Sequence, residues 1–263
     1  RRTQMFPILF EIGGFSLHMY GLLIAIGILI AIFFARSEAR RLQINEDRIP
    51  DVSFYMIAVA IVTSRLFFVA TRPAYFFANP LEIVMIWKGG LVFYGGFIGA
   101  ALTLILYVRA HRLPLAKTLD IAGISIPLGH FFGRIGCFFA GCCYGKPTDV
   151  PWAVTFSHPD SLAPLGVALH PTQLYHAFGN LLIFFALFFI RRRQRFDGQI
   201  FLLYLLCYGI IRSILELFRG DDRGATILGV FSISQGIGIS VALLAFVLLI
   251  IFFRKKQTSV THG

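Results

Sequence analysis

Seven long apolar runs constrain this chain more than any other feature of its sequence. Each approaches the ~20 residues that a helix needs to cross the hydrocarbon core of a bilayer. Hydrophobic residues make up 57% of the chain and charged residues only 14%, far from the composition of a soluble domain. We therefore predict an all-α polytopic membrane protein that forms a single integral membrane domain over residues 1–263. The predicted spans are 17–35, 52–70, 89–108, 119–139, 173–190, 199–218 and 228–253.

The distribution of Lys and Arg predicts the orientation of these spans. Fourteen of the 24 basic residues lie on one side of the predicted membrane, and seven lie in the loops on the other side. Cytoplasmic loops carry the excess of Lys and Arg, so we expect the N-terminus outside and the C-terminus in the cytoplasm. The net charge of +11 is then mostly a topology signal, and we expect no nucleic-acid partner. The larger set of basic residues clusters at 36–48, 109–117, 191–195 and 254–256.

One loop on the outer side is long enough to form a small extracytoplasmic head. Residues 140–172 contain five of the chain's 11 prolines and no apolar run that could span a bilayer. Loops of this length are usually functional or disordered. The β-friendly segment WAVTF at 152–156 favours a partly ordered head.

Three arginines, Arg65, Arg134 and Arg212, lie inside predicted spans. An ionised guanidinium at bilayer depth costs roughly 2.5–3.5 kcal/mol on the insertion scale, so each should face a partner, a watery cavity or an anionic ligand. Tyr208, Arg212 and Glu216 share one helical face, and a self-satisfied Arg212–Glu216 ion pair is the simple alternative to a function. Arg134 has no carboxylate nearby in sequence. Arginines that converge in a bundle make a good phosphate site, because guanidinium forks match phosphate oxygens.

Six motifs, read in order along the chain, resemble one protein family. The segment GRIGCFFAGCCYG at 133–145 is similar to the signature of bacterial prolipoprotein diacylglyceryl transferases. The resemblance runs from about residue 18 to residue 235, nearly the whole chain. The other five motifs are HMYG at 18–21, GGLVFYGG at 89–96, HPTQLY at 170–175, YGIIRSILELFR at 208–219 and SISQ at 232–235.

The resemblance implies transfer of the diacylglyceryl group of phosphatidylglycerol to the lipobox cysteine thiol of a prolipoprotein. The products would be a thioether-linked lipid and glycerol phosphate. It implies a multi-pass enzyme of the bacterial cytoplasmic (inner) membrane, with phosphatidylglycerol, membrane lipids and prolipoprotein signal peptides as partners and no cofactor. A lipid substrate would explain a site within the bilayer, and a phosphate leaving group would explain the arginines, since preorganised cations stabilise developing negative charge.

Carried over residue by residue, the resemblance implies that Arg134 and Arg212 are catalytic, with Glu216 and Tyr208 as their supports. Tyr94 is the fourth catalytic candidate. His170, which begins HPTQLY before a proline, is ranked as structural first and catalytic second. The candidate substrate-binding residues are Tyr20, Arg65, Gly95, Cys137, Gly145, His170, Gln173, Tyr208 and Gln235.

Two positions depart from the family pattern. Tyr94 stands where many members carry a histidine that has been proposed as the base for the thiol. A tyrosine phenol ordinarily loses its proton near pH ~10 and is a poor base at neutral pH. Either Tyr94 only orients the substrate, or another group such as Glu216 takes the proton, or the arginine field acidifies the thiol enough for water. Cys137 stands where many members carry asparagine, which hydrogen-bonds far better.

The cysteines invite a separate interpretation. Cys137, Cys142 and Cys143 are predicted near the outer surface, where disulfides can form. Their spacing is not that of a zinc site, so we expect a disulfide or simple buried thiols and no metal. Cys207, within the sixth span, is expected to be inert packing.

Other protein classes also use intramembrane arginines or outer cysteines. A transporter of anionic substrates should show inverted repeats, which the seven unlike spans lack. A membrane thiol-redox protein should carry C-x-x-C, which is absent. The main alternative is a family paralogue that uses the same phospholipid site with a different acceptor, which the changes at Tyr94 and Cys137 would allow.

Overall fold

Seven helices that are long and apolar enough to cross a membrane dominate the structure. The computed structural model describes residues 2–3, 7–12, 15–221, 226–227 and 231–261. The predicted class, an all-α polytopic membrane protein, is confirmed. The helices are α1 Met19–Arg41, α2 Arg48–Ala70, α3 Pro73–Ala78, α4 Phe93–Ala110, α5 Leu115–Ala140, α6 Thr172–Ile190, α7 Gln199–Glu216 and α8 Ile233–Thr261, and all except the short α3 are span candidates.

Short strands precede α1 and also lie in the connections between α5 and α6 and between α7 and α8. A three-stranded sheet in the order β1–β4–β5 joins the N-terminus to the head, with β1 parallel and β5 antiparallel to β4. Two hairpins, β2–β3 and β6–β7, lead into α1 and α8. The strands are β1 Arg2–Thr3, β2 Ile8–Ile12, β3 Phe15–His18, β4 Val154–Phe156, β5 Ala168–Leu169, β6 Thr226–Ile227 and β7 Phe231–Ser232.

The helix ends differ from the hydropathy boundaries for local reasons. α1 continues beyond 35 to Arg41, because a basic last turn is compatible with a helix C-terminus. α4 begins at Phe93 rather than at 89, because Gly89 and Gly90 have φ angles of 79° and 76°, in the left-handed region. α7 ends at Glu216 rather than at 218. The predicted start of the last span, residue 228, lies outside the described residues.

Residues 36–118 form one compact unit. Within it, α2 and α4 pack closely at two small residues of α4. A Cβ atom added to Gly95 would lie 2.7 Å from the carbonyl oxygen of Thr63, and one added to Gly99 would lie 2.2 Å from Thr63 Oγ1. The glycines are therefore needed for the close helix contact, which is the common use of small residues in membranes.

Residues 1–35 and 119–263 form the second unit. Its apolar core joins α5, α6 and α7 through Ile124, Phe184 and Tyr204, among others. The Asp120 carboxylate accepts hydrogen bonds from the backbone N–H of Gly198 at 2.7 Å and from that of Phe201 at 3.0 Å. An anion at a helix N-terminus is favourable, so Asp120 fixes the start of α7 against α5.

The head, predicted at 140–172, contains β4 and β5 on a small core of its own. Phe156 and Leu169 are each 1% exposed and pack around Ala163. The backbone at 144–148 forms hydrogen bonds to 168–170 on one side and to 218–220 on the other. The head is thereby tied to the start of α6 and to the segment that follows α7, beside the residues described next.

Candidate functional site

The Arg212–Glu216 pair lies on the buried face of α7. Arg212 Nη1 donates to Glu216 Oε2, as the i, i+4 spacing predicts, and the two side chains are only 11% and 5% exposed. The second carboxylate oxygen accepts a hydrogen bond from Ser232 Oγ at 3.0 Å. Glu216 is therefore held from two sides and fixes the guanidinium. Removing one member of such a pair would leave an uncompensated buried charge.

Gln235 takes part in a capping box at the start of α8. Its backbone N–H donates to Ser232 Oγ at 3.1 Å, and its side-chain Oε1 accepts from the Ser232 backbone N–H at 3.0 Å. This reciprocal arrangement satisfies two amide groups that a helix start otherwise leaves unpaired. Gln235 Nε2 also reaches the carbonyl oxygen of Ser213 at 3.3 Å. The SISQ motif thus holds the start of α8 beside Glu216.

Arg134 lies on α5 and differs from Arg212 in its partners. Among the residues that the structure describes, none forms an ion pair with its partly buried guanidinium. Its charge acts on His130, one helical turn earlier, and on His176 and Cys143. A guanidinium within a span without a carboxylate requires an anion or water.

α6 carries a buried polar stripe in an otherwise apolar helix. Gln173, His176 and Asn180 are 0%, 1% and 2% exposed. Gln173 Oε1, His176 Nε2 and Asn180 Oδ1 find no hydrogen-bond partner within the described part of the chain. Buried polar atoms in proteins are nearly always hydrogen-bonded, to protein groups or to ordered water, so this face of α6 offers polar groups to a water molecule or to a polar ligand.

His176 was not among the residues that the sequence singled out. In the fold, the charges of Arg134, Arg212 and Arg219 all act on its ring. The signal was available, because Gln173, His176 and Asn180 follow the i, i+3, i+7 spacing of one helical face. The apolar residues between them hid a polar face that points inwards.

Arg219 is a third cation, and it follows directly after the predicted span 199–218. It is 6% exposed, and its Nε and Nη2 atoms donate to the Asp221 carboxylate at 2.8 and 2.7 Å. Burial lowers the pKa of Arg219, but Asp221 and Cys143 outweigh this effect and the pKa is raised overall. Arg219 is therefore charged at every physiological pH.

Gly145 and His170 build the narrow seam between the head and α7. Gly145 N–H donates to the His170 carbonyl oxygen at 3.0 Å. A Cβ atom on Gly145 would lie 2.5 Å from His170 Cβ and 2.8 Å from the Phe218 carbonyl oxygen, so no larger residue fits. His170 Nδ1 lies 3.2 Å from the Tyr175 hydroxyl, and its ring packs on Phe218 with centroids 5.4 Å apart. These contacts fit the structural role ranked first for His170.

Gln173 holds the turn that follows α5. Its Nε2 donates to the Cys142 carbonyl oxygen at 2.8 Å, and the neighbouring Thr172 Oγ1 donates to the Cys143 carbonyl oxygen at 2.8 Å. Cys143 has a φ angle of 61°, which a non-glycine residue rarely adopts. Two fully buried side chains of α6 therefore fix an unusual backbone conformation at the site.

Three of the four cysteines converge at this turn. The sulfur atoms of Cys137, Cys142 and Cys143 lie within 4.8 Å of one another, and all four cysteines, including Cys207, are free thiols. The disulfide expected as one alternative is therefore not formed. The neighbouring Cys137 and Cys142 thiols, and then Arg219 and Arg134, lower the pKa of Cys143 against the opposing effect of burial.

Tyr20 and Tyr208 each lie close to residues of α5. Gly136 on α5 allows α1 to approach, since a Cβ atom there would lie 3.2 Å from Tyr20 Cδ2. The phenol of Tyr20 is close enough to Cys137 and Arg134 to interact electrostatically with them. Tyr208 packs against His130 with ring centroids 5.6 Å apart.

The remaining candidates belong to the unit of residues 36–118. Arg65, 6% exposed, donates from Nε to the Ile83 carbonyl oxygen at 2.9 Å and from Nη1 to the Gly89 carbonyl oxygen at 2.6 Å. These bonds organise the connection between α2 and α4, beside a cavity of about 280 Å³. Gly95 permits the helix contact described above, and Tyr94 is 49% exposed on the first turn of α4.

The charges around His176 determine what this arrangement can bind. Arg212 and Arg219 each have a carboxylate partner, whereas Arg134 has none among the described residues. The cluster therefore keeps an uncompensated positive charge beside unpaired polar atoms. Such a site favours a phosphate group, and rigid donors of this kind stabilise charge that develops during a reaction.

Comparison with known proteins points to one family. A family model described as prolipoprotein diacylglyceryl transferase matches residues 7–251. A phosphatidylglycerol–prolipoprotein diacylglyceryl transferase of Clostridium tetani is 38% identical over 254 residues, covering 96% of this chain and 100% of that protein. Proteins of the same name from Finegoldia magna and Rhodospirillum rubrum are each 35% identical, covering 94% and 98% of this chain and 95% and 96% of their own lengths.

Proposed function

The chain belongs to the prolipoprotein diacylglyceryl transferase family, and we propose that it transfers the diacylglyceryl group of phosphatidylglycerol to the lipobox cysteine thiol of a prolipoprotein. The thiol sulfur attacks the sp³ glyceryl carbon, a thioether forms, and the C–O bond to phosphate breaks. The electron pair of that bond leaves with glycerol phosphate. Transfer of diacylglyceryl from phosphatidylglycerol to prolipoprotein is the activity that the relatives' names give.

The observation that carries this proposal is the uncompensated positive charge of Arg134 beside the Arg212–Glu216 pair. Phosphatidylglycerol carries one negative charge on its phosphate, and departure of glycerol phosphate adds a second. Arg134 and Arg212 would bind the first charge and stabilise the second in a site from which lipid excludes water. Arg219 adds to the same positive potential, since its charge acts on Arg212 and His176.

Glu216 would act through Arg212 rather than on the lipid. A carboxylate near a phosphate is repulsive, so its value lies in orienting the guanidinium, with Ser232 and the Gln235 cap holding the carboxylate in turn. Gln173 would shape the turn at Cys142 that faces the reacting groups. The other proposed substrate-binding residues are Tyr20, Arg65, Gly95, Cys137, Gly145, His170 and Tyr208.

His176 would be an additional substrate-binding residue. Its unpaired Nε2 atom and the three surrounding arginines suit a neutral imidazole that donates a hydrogen bond to a phosphate oxygen. Replacement by glutamine would retain a donor, whereas replacement by leucine would leave the phosphate with one partner fewer. A larger loss of turnover for His176→Leu than for His176→Gln is expected.

The proposed setting is the bacterial cytoplasmic (inner) membrane. The chain is a multi-pass membrane protein, and the excess of Lys and Arg in one set of loops supports an outer N-terminus and a cytoplasmic C-terminus. The chain would form one integral membrane domain, and phosphatidylglycerol would enter it laterally from the surrounding lipid. The lipobox peptide would approach from the outer face, where the head lies in this orientation.

The experiment that tests the proposal measures glycerol phosphate released from phosphatidylglycerol by the purified protein in lipid nanodiscs. The assay is run with a lipobox peptide, with the same peptide carrying alanine in place of cysteine, and without peptide. Release that requires the cysteine peptide supports the transferase. Release that ignores the peptide, or none at all from inserted protein, overturns it and favours a paralogue with a different acceptor.

A further inference from the structure

We propose that Cys137, Cys142 and Cys143 bind one zinc ion whose fourth position accepts the thiol of the incoming prolipoprotein. The spacing along the chain does not match a common zinc motif, but a zinc ion responds to the positions of the sulfur atoms in the fold and not to the motif. In the fold, the three sulfur atoms lie within 4.8 Å of one another. Tetrahedral zinc with Zn–S bonds of about 2.3 Å places sulfur atoms about 3.8 Å apart, so small side-chain rotations suffice.

Side chains of α6 hold the backbone of the three-cysteine cluster in place. The carbonyl groups of Cys142 and Cys143 are each held at 2.8 Å by Gln173 and Thr172, and both of these side chains are 0% exposed. Cys143 is kept at a φ angle of 61°. Buried partners that hold two adjacent cysteines, one of them with a positive φ angle, are typical of preorganised sites. Thiols that only fill space in the core do not require such buried hydrogen-bond partners.

The surrounding charges suit a zinc–thiolate centre. Zinc with three thiolates carries a net charge of −1, and with the acceptor thiolate it carries −2. The charges of Arg219 and Arg134 both act on Cys143, so they offset this negative charge. Three protein ligands and one exchangeable position are the usual composition of a catalytic zinc site.

The inference rests on the proposed function and supplies a step that it lacks. A thiol that binds zinc does so as the thiolate, and its proton passes to water. The bound sulfur then attacks the glyceryl carbon, the C–S bond forms, and the C–O bond breaks with its electron pair going to glycerol phosphate. Zinc keeps its oxidation state throughout. The thioether is a neutral and weaker ligand, so the next thiol displaces it.

A zinc-bound acceptor thiolate would explain how the reaction proceeds without a protein base at Tyr94. A phenol is a poor proton acceptor at neutral pH, and Tyr94 stands where many members of the family carry a histidine. A metal that binds the acceptor as its thiolate removes the need for a protein base. Cys137, the second departure from the family pattern, is one of the three ligands.

The first test measures metal content and ligation. Protein that is purified in buffer containing zinc and then washed with a chelator to remove loosely bound metal should hold about one zinc per chain. Cys142→Ser and Cys137→Ser should each reduce this at least fivefold, while Cys207→Ser, which alters the thiol outside the cluster, should not. Cobalt-substituted protein should show a thiolate-to-cobalt charge-transfer band. The cysteine lipobox peptide, but not its alanine version, should change the visible cobalt bands by taking the fourth position.

Absence of zinc together with absence of a charge-transfer band in the wild-type protein would overturn the inference. So would a disulfide within the cluster, detected as a mass 2 Da below that of the reduced chain. Monodisperse elution of each variant in detergent ensures that lost zinc does not reflect misfolding. If the serine variants fail that criterion, the wild-type cobalt spectrum with the two peptides decides alone.

The second test separates this inference from the proposed function. Zinc-free protein should transfer diacylglyceryl about 10²-fold more slowly, and zinc, but not magnesium, should restore the rate. Full activity of zinc-free protein overturns the zinc inference and leaves the transferase intact. No transfer in any metal state, with the cobalt spectrum and its response to the cysteine peptide as expected, overturns the proposed function and leaves the metal site intact.

Discussion

Replacing Arg134 by alanine should separate activity from stability. Arg134 is a cation on α5 with no ion-pair partner among the described residues. Its removal therefore strands no carboxylate. If the guanidinium is there to bind the phosphate of the lipid, the variant loses the reaction and keeps the fold.

The expected size of each effect follows from the surroundings of the side chain. Loss of one preorganised donor to a developing oxyanion costs about 10²–10³-fold in turnover, or ~2.7–4 kcal/mol of transition-state stabilisation. On the stability side, holding an unpaired guanidinium at bilayer depth costs up to ~2.5–3.5 kcal/mol. Its removal relieves part of that cost while losing the packing of its apolar stem. We expect the free energy of unfolding to stay within about 1 kcal/mol of wild type.

Arg212 provides the contrast. Arg212→Met leaves Glu216, only 5% exposed, as a lone buried charge, which costs ~3–5 kcal/mol. Adding Glu216→Gln removes that charge and keeps an acceptor for Ser232. The double variant should recover most of the stability and none of the activity. Asp47→Asn, which breaks the exposed Arg36–Asp47 pair, is the control and should change stability by less than about 1 kcal/mol.

The assay combines glycerol phosphate release with reversible unfolding of each variant in the same detergent. Turnover of Arg134→Ala within about threefold of wild type would refute the phosphate role, since an oxyanion donor is worth far more. A loss of stability as large as that of Arg212→Met would also refute the reasoning. It would mean that Arg134 serves a buried structural pair.

Three further substitutions test individual side chains. Tyr94→Phe should retain turnover, because loss of a general base would instead cost ~10²–10⁴-fold; a loss of that size without loss of lipid binding would identify the hydroxyl as the base. Gly145→Ala should lower the free energy of unfolding by ~1–3 kcal/mol, because its Cβ would lie 2.5 Å from His170 Cβ. Gly133→Ala is the control, since no atom lies within 4 Å of its Cβ position, and it should not lower stability. Equal stability of the two variants would contradict the close contact proposed at Gly145. Gln235→Ala should cost about 1 kcal/mol through the lost cap, and reduced turnover at unchanged stability would instead indicate contact with the lipid.

The spans could be predicted from the sequence because bilayer thickness sets a length that hydropathy can detect. The part of the chain that the structure describes contains seven helices long and apolar enough to span a membrane, as predicted. The ends of the helices were harder to predict, because they depend on backbone conformation rather than on apolarity. Gly89 and Gly90 are apolar enough to belong to a span, yet their positive φ angles keep them outside α4. The short helix α3 between α2 and α4 was not predicted either, because six residues are too few for a hydropathy signal.

The site was predictable where charge stood out against an apolar background and hidden where it did not. Arg212 and Glu216 share a helical face, and their pairing could be derived from spacing alone. His176 was missed because one histidine in a long apolar helix resembles packing, and Arg219 because it lies just beyond a span. The convergence of Cys137 with Cys142 and Cys143 depends on the left-handed turn at Cys143. No pattern in the sequence reports that turn.

The mass of the lipobox peptide shows whether a diacylglyceryl group or an acyl group is transferred to its thiol. The peptide is incubated with phosphatidylglycerol and the protein, treated with hydroxylamine, and analysed by mass spectrometry. We expect a peptide heavier by one diacylglyceryl group that retains this mass after treatment at neutral pH, where hydroxylamine cleaves thioesters but neither thioethers nor oxygen esters, together with an equal amount of glycerol phosphate. A gain of a single acyl group that hydroxylamine removes, with lysophospholipid as the second product, would contradict it.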